Sequence, residues 1–443
     1  MLGEYPIQGR RASDIARSVE QAVTSGALGP GQALPPQRAL AERLGVNPNT
    51  VAAAYRTLRE RGVIETDGRR GSRVRPKPPV AARNALRVDP PPGVRDLSDG
   101  NPDPSLLPPL TAAFAEAAAR GDREPVLYGA EPVDPDLAGH ARGGFARDGV
   151  PAGPIAVTSG SLDAVERLLA AHLAPGDTVG VEDPGWGSLL DLVPALGLRT
   201  APVTVDEDGP LPDDVARVLA AGARALVVTD RAHNPTGAVL GPDRARALRA
   251  VLARHPEALV IEDDHGHGIV DQPLFPLAGA TTHWALVRSA AKAYGPDLRV
   301  AVLTGDPITL DRVRGRQSLG PGWVSLLQQR ALARLWDTAA VDPAEVAASY
   351  RTRREALIAA LAHRGVPALG RSGMNVWVPV PEETGVVTRL LHHGWAVSPG
   401  ARFRIRTPPA VRITVSTLSG DDIGAVADAV AAATAPAPAR RFT

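Results

Sequence analysis

The chain has 443 residues, of which 44% are hydrophobic, and therefore has enough apolar material for two or three folded domains. It contains no cysteine, which excludes disulfides, thiolate metal ligands and a cysteine nucleophile, and it has neither a membrane-spanning apolar run nor a signal-peptide pattern, so we expect a cytoplasmic protein. The net charge of +1 is unevenly distributed, because residues 1–77 contain 13 Lys or Arg against 7 Asp or Glu and the remainder is acidic. A basic first segment predicts contact with a polyanion.

Three helices and a hairpin are predicted in the basic segment. Apolar residues repeat at helical spacing from Ile15 to Val23, from Leu40 to Leu44 and from Val51 to Leu58. Gly45 permits a tight turn between the last two helices, and Asn47 can cap the third. The stretch VIETDGRRGSRVRP predicts two short strands around a basic tip. These elements together predict a winged helix-turn-helix, in which the third helix enters the major groove of DNA.

Residues 4–75 resemble the GntR-type DNA-binding domain, most closely over LPPQRALAERLGVNPNTVAAAYRTLRERGVIE. The resemblance implies a double-stranded DNA operator as partner, with Arg38 on phosphate or a base edge and Gly71 in the wing. Pro48 stands where the family commonly has arginine, so the operator sequence is not predicted. A small helical protein-interaction domain is the alternative. The DNA-contacting residues that we predict are Arg38, Asn47, Asn49, Thr50, Arg69, Arg70, Gly71 and Arg73.

From about residue 98, short apolar runs alternate with amphipathic stretches, which predicts an α/β domain with a largely parallel sheet. The strand-like runs are IAVTSG, TVGVEDPG, ARALVVTD, ALVIEDD, WALVRSA and RVAVLTG. In such sheets, ligand-binding groups gather at the carboxyl ends of the strands. Polar residues follow five of these runs, at 159–161, 183–186, 233–237, 263–264 and 289–292. Five such sets in succession predict a single binding site.

The motifs TSGS, EDPGW, HNPTG and SAAKAYGPDLR resemble those of the class I/II aminotransferases, over roughly residues 98–432. The resemblance implies a fold type I α/β domain with a large and a small subdomain, and pyridoxal 5′-phosphate (PLP) as the cofactor. Because a GntR-type domain precedes it, the whole chain resembles the MocR-type transcriptional regulators.

The resemblance implies that Lys292 forms a Schiff base with PLP. Lysine occurs at only two positions, 77 and 292, among 49 Lys and Arg residues. A guanidinium stays protonated and cannot bond to an aldehyde as an amine does, which explains why position 292 is not arginine. Asp263 is implied to pair with the pyridinium nitrogen, and Arg412 to bind a ligand carboxylate bidentately. His265 replaces the family's tyrosine, and we expect it to donate to the phenolic oxygen of PLP.

The other cofactor contacts implied by the resemblance surround the phosphate and the ring. Backbone amides at the start of a helix over 161–172 are expected to bind the phosphate. The resemblance also implies that Tyr128 reaches the phosphate of a neighbouring subunit, and we therefore expect a homodimer. The remaining implied contacts are phosphate binding by Gly160, Ser161, Leu162, Ser289 and Arg299, ring stacking by Trp186, and donation to the phenolic oxygen by Asn234.

The stretch EDDHGHG, at 262–268, also contains the residue types of a metal site. It occupies the position at which the family pairs a carboxylate with PLP, so we favour PLP pairing for Asp263 and expect no metal.

We therefore expect a PLP-dependent, DNA-binding transcriptional regulator that senses an amine or amino acid through Lys292. One alternative is an active aminotransferase that carries an autoregulatory DNA-binding head, since Lys292, Asp263 and Arg412 permit at least transamination half-reactions. Another is a sensor of PLP itself. The predicted domains are a winged helix at 1–76, a Pro-rich linker at 77–97, an aminotransferase-like domain at 98–433 with its small subdomain from about 310, and a disordered tail at 434–443.

Overall fold

A computed structural model describes residues 7–24, 27–60, 63–66, 71–75, 83, 86 and 90–435. The chain forms two compact units. The first comprises Met1–Val80 with Leu173–Thr178 and Asp191–Arg199, and the second comprises the rest of the chain. None of the described helices is long and apolar enough to cross a membrane.

The N-terminal part of the first unit is a winged helix-turn-helix, as predicted. Its helices are α1 (Ala12–Thr24), α2 (Gln37–Leu44) and α3 (Pro48–Glu60), and its wing is the antiparallel pair β1 (Ile64–Thr66) and β2 (Ser72–Val74). The apolar residues spaced for helices form one core, which includes the fully buried Ile15, Val19, Leu40 and Leu58. Gly45 ends α2 with a φ of 64°, a conformation that glycine adopts at little cost.

The second unit is an α/β assembly with two principal sheets. Its strands, with two at the boundary to the first unit, are β3 (Arg95–Asp96), β4 (Ile155–Thr158), β5 (Thr178–Asp183), β6 (Arg199–Asp206), β7 (Gly209–Pro210), β8 (Ala225–Thr229), β9 (Leu259–Asp264), β10 (His283–Ser289), β11 (Ala301–Gly305), β12 (Asn375–Pro379), β13 (Trp395–Ala396), β14 (Ser398–Pro399) and β15 (Ala410–Thr414). Its α-helices, of which α7 belongs to the first unit from Asp191 onward, are α4 (Thr111–Arg123), α5 (Pro135–Arg147), α6 (Ser161–His172), α7 (Gly187–Ala195), α8 (Pro212–Ala220), α9 (Pro242–Leu252), α10 (Ala291–Tyr294), α11 (Pro307–Ser318), α12 (Leu326–Asp337), α13 (Pro343–Ala362), α14 (Glu383–His392) and α15 (Gly420–Thr434).

The large sheet has the strand order β4-β11-β10-β9-β8-β5-β6-β7. The pairs β5–β8, β8–β9 and β9–β10 are parallel, whereas β11 is antiparallel to both of its neighbours. All six strand-like runs of the sequence are strands of this sheet. The strand β6 was not predicted, because Pro202 interrupts its apolar pattern. The sheet therefore matches the expected α/β class, with mixed strand directions at the β4 edge.

The smaller sheet has the order β12-β15-β14, with β15 antiparallel to both neighbours. It packs in a second apolar cluster that contains Leu97 and buried residues from Leu357 to Ala433. The central strand β15 carries Arg412, which lies opposite Trp377 on one side and Ser398 on the other. This arrangement fixes the arginine in a buried strand.

Candidate cofactor site and DNA-binding surface

A cavity of about 280 Å³ lies where several strands of the large sheet end. The structure brings ten of the eleven predicted cofactor residues to its walls. These are Gly160, Ser161, Leu162, Trp186, Asn234, Asp263, His265, Ser289, Lys292 and Arg299. Tyr128 is not among them, since its side chain is 94% exposed and its ring meets that of Trp323 edge-on. We call this space the cofactor cavity.

Lys292 reaches the cofactor cavity from the short helix α10. Its amine donates a hydrogen bond to the carbonyl oxygen of Gly100. Burial, together with the nearby charge of Arg412, lowers the pKa of Lys292 to about 8. A larger fraction of this amine is therefore neutral near pH 7 than for an exposed lysine, which favours attack on an aldehyde.

Asp263 projects from the end of β9 with one oxygen bonded and one unsatisfied. Oδ2 lies 3.0 Å from Nδ1 of His265. Oδ1 is buried and has no hydrogen-bond partner among the described residues. An unpaired buried carboxylate oxygen is costly, so the position suits a ligand that carries an N–H group.

The structure gives His265 different partners from those expected of it. Its Nδ1 faces the carboxylate of Asp263, and its Nε2 lies 2.9 Å from the carbonyl oxygen of Ala232. Because that carbonyl can only accept, Nε2 must carry a proton, and neither ring nitrogen is left to donate to a phenolic oxygen. Burial disfavours the charged ring, but the carboxylate of Asp263 outweighs it and raises the pKa of His265. In this arrangement His265 is a partner of Asp263.

The other end of the cofactor cavity has the features of a phosphate site. Helix α6 begins at Ser161, whose Oγ is buried without a hydrogen-bond partner among the described residues. The guanidinium of Arg299 packs so closely on Gly160 that a Cβ there would lie 2.9 Å from Nη2. Arg299 also donates to the carbonyl of Ser159. A helix N-terminus, a hydroxyl and a guanidinium suit a dianion.

Arg412 and Asn234 form a pair beside Lys292. Nη1 of Arg412 donates to Oδ1 of Asn234 over 2.9 Å, and Nη2 donates to the carbonyl of Ser98. The amide nitrogen of Asn234 is therefore the group that can donate to a phenolic oxygen. Burial, together with the neighbouring Arg402, lowers the pKa of Arg412 to about 9.

Gly100 is a wall residue that the sequence analysis missed. A Cβ on Gly100 would lie 3.5 Å from Nη1 of Arg412 and 3.9 Å from Nζ of Lys292. It belongs to the turn-like stretch SDGNP at 98–102, immediately after the segment assigned to the linker. Its Gly-Asn-Pro composition signalled a turn, but its sequence contains nothing to connect it with a lysine 192 positions away.

The stretch at 262–268 divides among several environments. Asp264 forms buried ion pairs with Arg231 and Arg288. Glu262 accepts a hydrogen bond from the backbone of Leu277. Burial, and the charge of Arg288, lower the pKa of His267 to about 3. No group of three or more potential metal ligands occurs among the described residues.

The predicted DNA-contacting residues that the structure describes lie at the surface of the helix-turn-helix and wing. Arg38 is exposed on α2, and Arg73 and Gly71 are exposed at the wing. Asn47 and Asn49 are exposed at the start of α3, where Oδ1 of Asn47 accepts from the backbone N–H of Asn49 at 2.8 Å. Thr50, also at the start of α3, is half-buried. Arg69 and Arg70 lie outside the described residues, as does the other lysine, Lys77.

The residues of the cofactor cavity fit PLP at both ends. The unsatisfied Oδ1 of Asp263 suits the pyridinium N–H, and the unsatisfied Oγ of Ser161 suits the phosphate. When bound, PLP supplies an aldehyde to which a primary amine can bond and a ring that withdraws electrons.

Comparison with known proteins supports both parts of this architecture. Residues 11–74 match the model for bacterial regulatory proteins of the gntR family, and residues 146–430 match aminotransferase class I and II. The chain is 41% identical to the vitamin B6 salvage pathway transcriptional repressor PtsJ of Salmonella typhimurium, over 95% of this chain and 98% of that one. It is 33% identical to the pyridoxine biosynthesis transcriptional regulator PdxR of Corynebacterium glutamicum, over 60% and 59% of the two chains.

The fold has a solved counterpart in the kynurenine aminotransferase of Pyrococcus horikoshii. The TM-score is 0.69 at 21% identity, over 77% of this chain and 91% of that one. A GntR-type domain thus precedes a PLP-binding aminotransferase fold, and the chain belongs to the MocR-type transcriptional regulators.

Proposed function

We propose that PLP bound in the cofactor cavity controls how tightly this regulator holds its operator, and that the genes it regulates serve vitamin B6 supply. The convergence of Lys292, Asp263 and Arg299 on one cavity carries the first part, because these residues suit the aldehyde, ring nitrogen and phosphate of one molecule. The names of the two relatives, a vitamin B6 salvage repressor and a pyridoxine biosynthesis regulator, support the second part.

The residues contribute separate steps to this response. Lys292, whose pKa is lowered, would bond to the aldehyde end of bound PLP, and Asp263, whose second oxygen His265 holds, would stabilise a proton on the ring nitrogen. Ser161 and Arg299 anchor the phosphate end. A ligand shifts the protein toward one conformation only if it binds that conformation more tightly. The contacts at the two ends of the cofactor cavity provide the energy for such a preference.

A second candidate is an amine or amino acid that acts on the PLP-loaded protein. The space beside Gly100 supports it, because a single atom placed there would lie within 4 Å of both Arg412 and Lys292. An α-amino acid in this space could direct its carboxylate toward Arg412 and its amine toward Lys292. Because neither ring nitrogen of His265 faces the phenolic oxygen, the side chain that family enzymes use there has no counterpart at this position. We therefore favour ligand sensing over sustained transamination.

We further propose that the protein acts as a homodimer in the cytoplasm, with Tyr128 completing the phosphate site of the partner subunit. The exposed fractions of Tyr128 and Leu127, 94% and 71%, support a covered surface at this segment, since large apolar side chains are seldom left in water together. Light scattering of the purified chain measures this: a monomer at micromolar concentration would contradict the proposal.

Operator binding with and without PLP tests the main proposal. The full chain is titrated onto its own upstream DNA as apo protein, with PLP, and with PLP plus single amino acids, and the affinities are compared with those for unrelated DNA. We expect PLP to change the operator affinity at least about fivefold. An unchanged affinity with PLP demonstrably bound would contradict the proposal. Turnover of an amino and keto acid pair without sequence-specific DNA binding would support the aminotransferase alternative.

A further inference from the structure

A second cavity, of about 290 Å³, adjoins the cofactor cavity. The two cavities share four wall residues, Gly100, Trp186, Asn234 and Lys292. We call the second one the vestibule. A molecule in the vestibule would lie beside the amine of Lys292. Ser161 and Arg299, the predicted phosphate contacts, line the cofactor cavity and not the vestibule, so they would stay available to PLP. The vestibule is therefore suited to a ligand other than PLP.

The charge of the vestibule is strongly positive. Its walls carry three guanidiniums, those of Arg83, Arg402 and Arg412, and one carboxylate, that of Asp99. Burial and the charge of Arg402 both lower the pKa of Arg412, so the charges of these two guanidiniums interact. An excess of cations on the walls of a partly enclosed cavity favours an anionic ligand.

Two of these guanidiniums, those of Arg412 and Arg402, lie near the same aromatic ring. The guanidinium carbons of Arg412 and Arg402 lie 4.7 Å and 5.6 Å from the centre of the same ring, that of Phe403. Arg412 is buried, and its Nε has no hydrogen-bond partner among the described residues. Arg402 is held by a hydrogen bond from Nη1 to Oγ of Ser398, at 3.0 Å. Because both guanidiniums line the vestibule, each can bind one anionic end of a short molecule.

We propose that the vestibule is a binding site for a small primary amine with two anionic groups, one held by Arg412 and the other by Arg402, with the amine facing Lys292. The proposal deepens the one above and rests on the entry of small ligands beside Lys292. Arg402 is then the residue that determines specificity, because Arg412 alone would accept any α-carboxylate. A dicarboxylic amino acid and a phosphorylated amino acid share this chemistry.

Matched amino acids test the proposal in the full, PLP-loaded chain. L-Aspartate and L-glutamate are compared with L-asparagine and L-glutamine, which have nearly the same shape and lack the second charge. O-phospho-L-serine represents the phosphorylated source. Affinities are measured by calorimetry and by the absorbance of bound PLP, for the wild type, Arg402→Gln and Arg406→Gln. Arg406 is exposed on the same segment and does not line the vestibule, so its variant controls for loss of charge.

We expect the acidic ligands to bind the wild type at least about tenfold more tightly than their amides, and Arg402→Gln to remove this preference while PLP remains bound. Arg406→Gln should keep the preference. Tighter binding of O-phospho-L-serine than of L-aspartate would identify the phosphorylated source. Equal affinity for acids and amides, or a preference that survives in Arg402→Gln, would overturn the second anion site. Either result with PLP-dependent operator binding intact would leave the proposed function standing, whereas loss of that dependence in the wild type would overturn the proposed function.

Discussion

The winged helix and the cofactor cavity use polar residues in opposite ways. In the winged helix, Arg38, Asn49 and Arg73 are exposed on a small apolar core. In the cofactor cavity, Asp263 and Ser161 are buried, and each keeps an oxygen with no hydrogen-bond partner in the part of the chain that the structure describes. DNA is a large polyanion approached from outside, so its contacts can stay hydrated until it binds. A small cofactor is enclosed, and its contacts must be desolvated before it arrives.

This difference decides how each region responds to change. Exposed charges in water interact weakly with one another, so substitutions there act one at a time. Buried groups alter the pKa values of their neighbours, as Arg412 does for Lys292. We therefore expect substitutions in the cofactor cavity to have coupled effects that depend on pH, and substitutions in the winged helix to have simple effects that depend on salt.

The largest expected effect is that of Lys292→Arg. The variant keeps the positive charge but has no amine able to bond to the aldehyde, so the absorbance band of lysine-bound PLP should be lost completely. Ligand-responsive operator binding should be lost with it. Lys77→Arg, at the other lysine of the chain, is the matched control and should retain both. A ligand response that persists in Lys292→Arg would show that sensing does not need the covalent bond.

The next effect is that of Arg38→Ala on DNA binding. Loss of a phosphate contact should weaken binding to operator and unrelated DNA alike, and should lower the slope of log affinity against log salt by about one. PLP absorbance should not change. Arg43→Ala, an exposed arginine on the same helix, serves as the control. Identical DNA binding by Arg38→Ala and wild type at several salt concentrations would remove Arg38 from the interface.

From Glu262→Gln we expect a change on the order of 2 kcal/mol in how the free energy of unfolding depends on pH between 5 and 8. Burial raises the pKa of Glu262 from 4.5 to about 7, and burial together with the charge of Glu262 raises that of Asp230, so these two carboxyl groups hold protons more tightly in the folded state. The stability that this pair contributes should therefore be greatest below pH 3.8, the lower of the two ordinary pKa values, and should be lost as the pH rises through about 7. The amide cannot ionise, so the variant should lose part of that fall and be more stable at pH 8.

Urea unfolding midpoints at pH 5 and pH 8 measure the effect of Glu262→Gln. Glu355→Gln, an exposed change on α13, should leave both midpoints unchanged. Parallel profiles of Glu262→Gln and wild type would mean that the carboxyl pair is not protonated in the folded protein.

A smaller, spectroscopic effect is expected from His265→Tyr. Asp263 raises the pKa of His265, so the ring should stay charged to a pH above 6.5 and then lose its proton as the pH rises further. The absorbance of bound PLP should follow this step in the wild type and lack it in the variant, with PLP still bound. His363→Tyr, at an exposed position, should keep the step. If the absorbance of bound PLP depends on pH in the same way in the wild type and in His265→Tyr, then His265 does not influence PLP, directly or through Asp263.

The smallest effect is expected in the winged helix, from Gly45→Ala. The φ of 64° at the end of α2 disfavours a side chain and should cost the winged helix about 1 kcal/mol. Gly29→Ala, at a glycine without a positive φ, is the control. For each variant, the temperature at which half of the operator binding is lost measures the stability of the winged helix. An equal loss in the two variants would show that the turn conformation is not the cause.

Much of the fold could be predicted from the sequence because its signals are local. The helix α3 follows from Asn47, Pro48 and the apolar spacing after them. The six predicted strands follow from short apolar runs. Residues at strand ends could be assigned to one site because parallel strands bring their carboxyl ends together. Lys292 and Asp263 could be placed in one cavity by this rule together with the family resemblance.

Other features could not be predicted from local signals. The hydrogen bond from Lys292 to Gly100 joins positions 192 apart, and no periodicity connects them. The orientation of His265 depends on Ala232, which follows a different strand. The two guanidiniums on Phe403 depend on the position of β15 between two neighbours. Each depends on which surfaces pack together, which is a long-range property.

The sequence by itself determined that a basic winged helix precedes an α/β domain, and that an amine stands at position 292 where the chain otherwise uses arginine. Composition, spacing and motifs are written along the chain, and local propensity is enough to interpret them. The tertiary structure alone decided that Oδ1 of Asp263 is buried with no hydrogen-bond partner among the described residues, that His265 faces Asp263, and that the guanidiniums of Arg402 and Arg412 both lie near the ring of Phe403. Burial and the charge of neighbours set the chemistry of these groups, and both exist only once distant segments have packed.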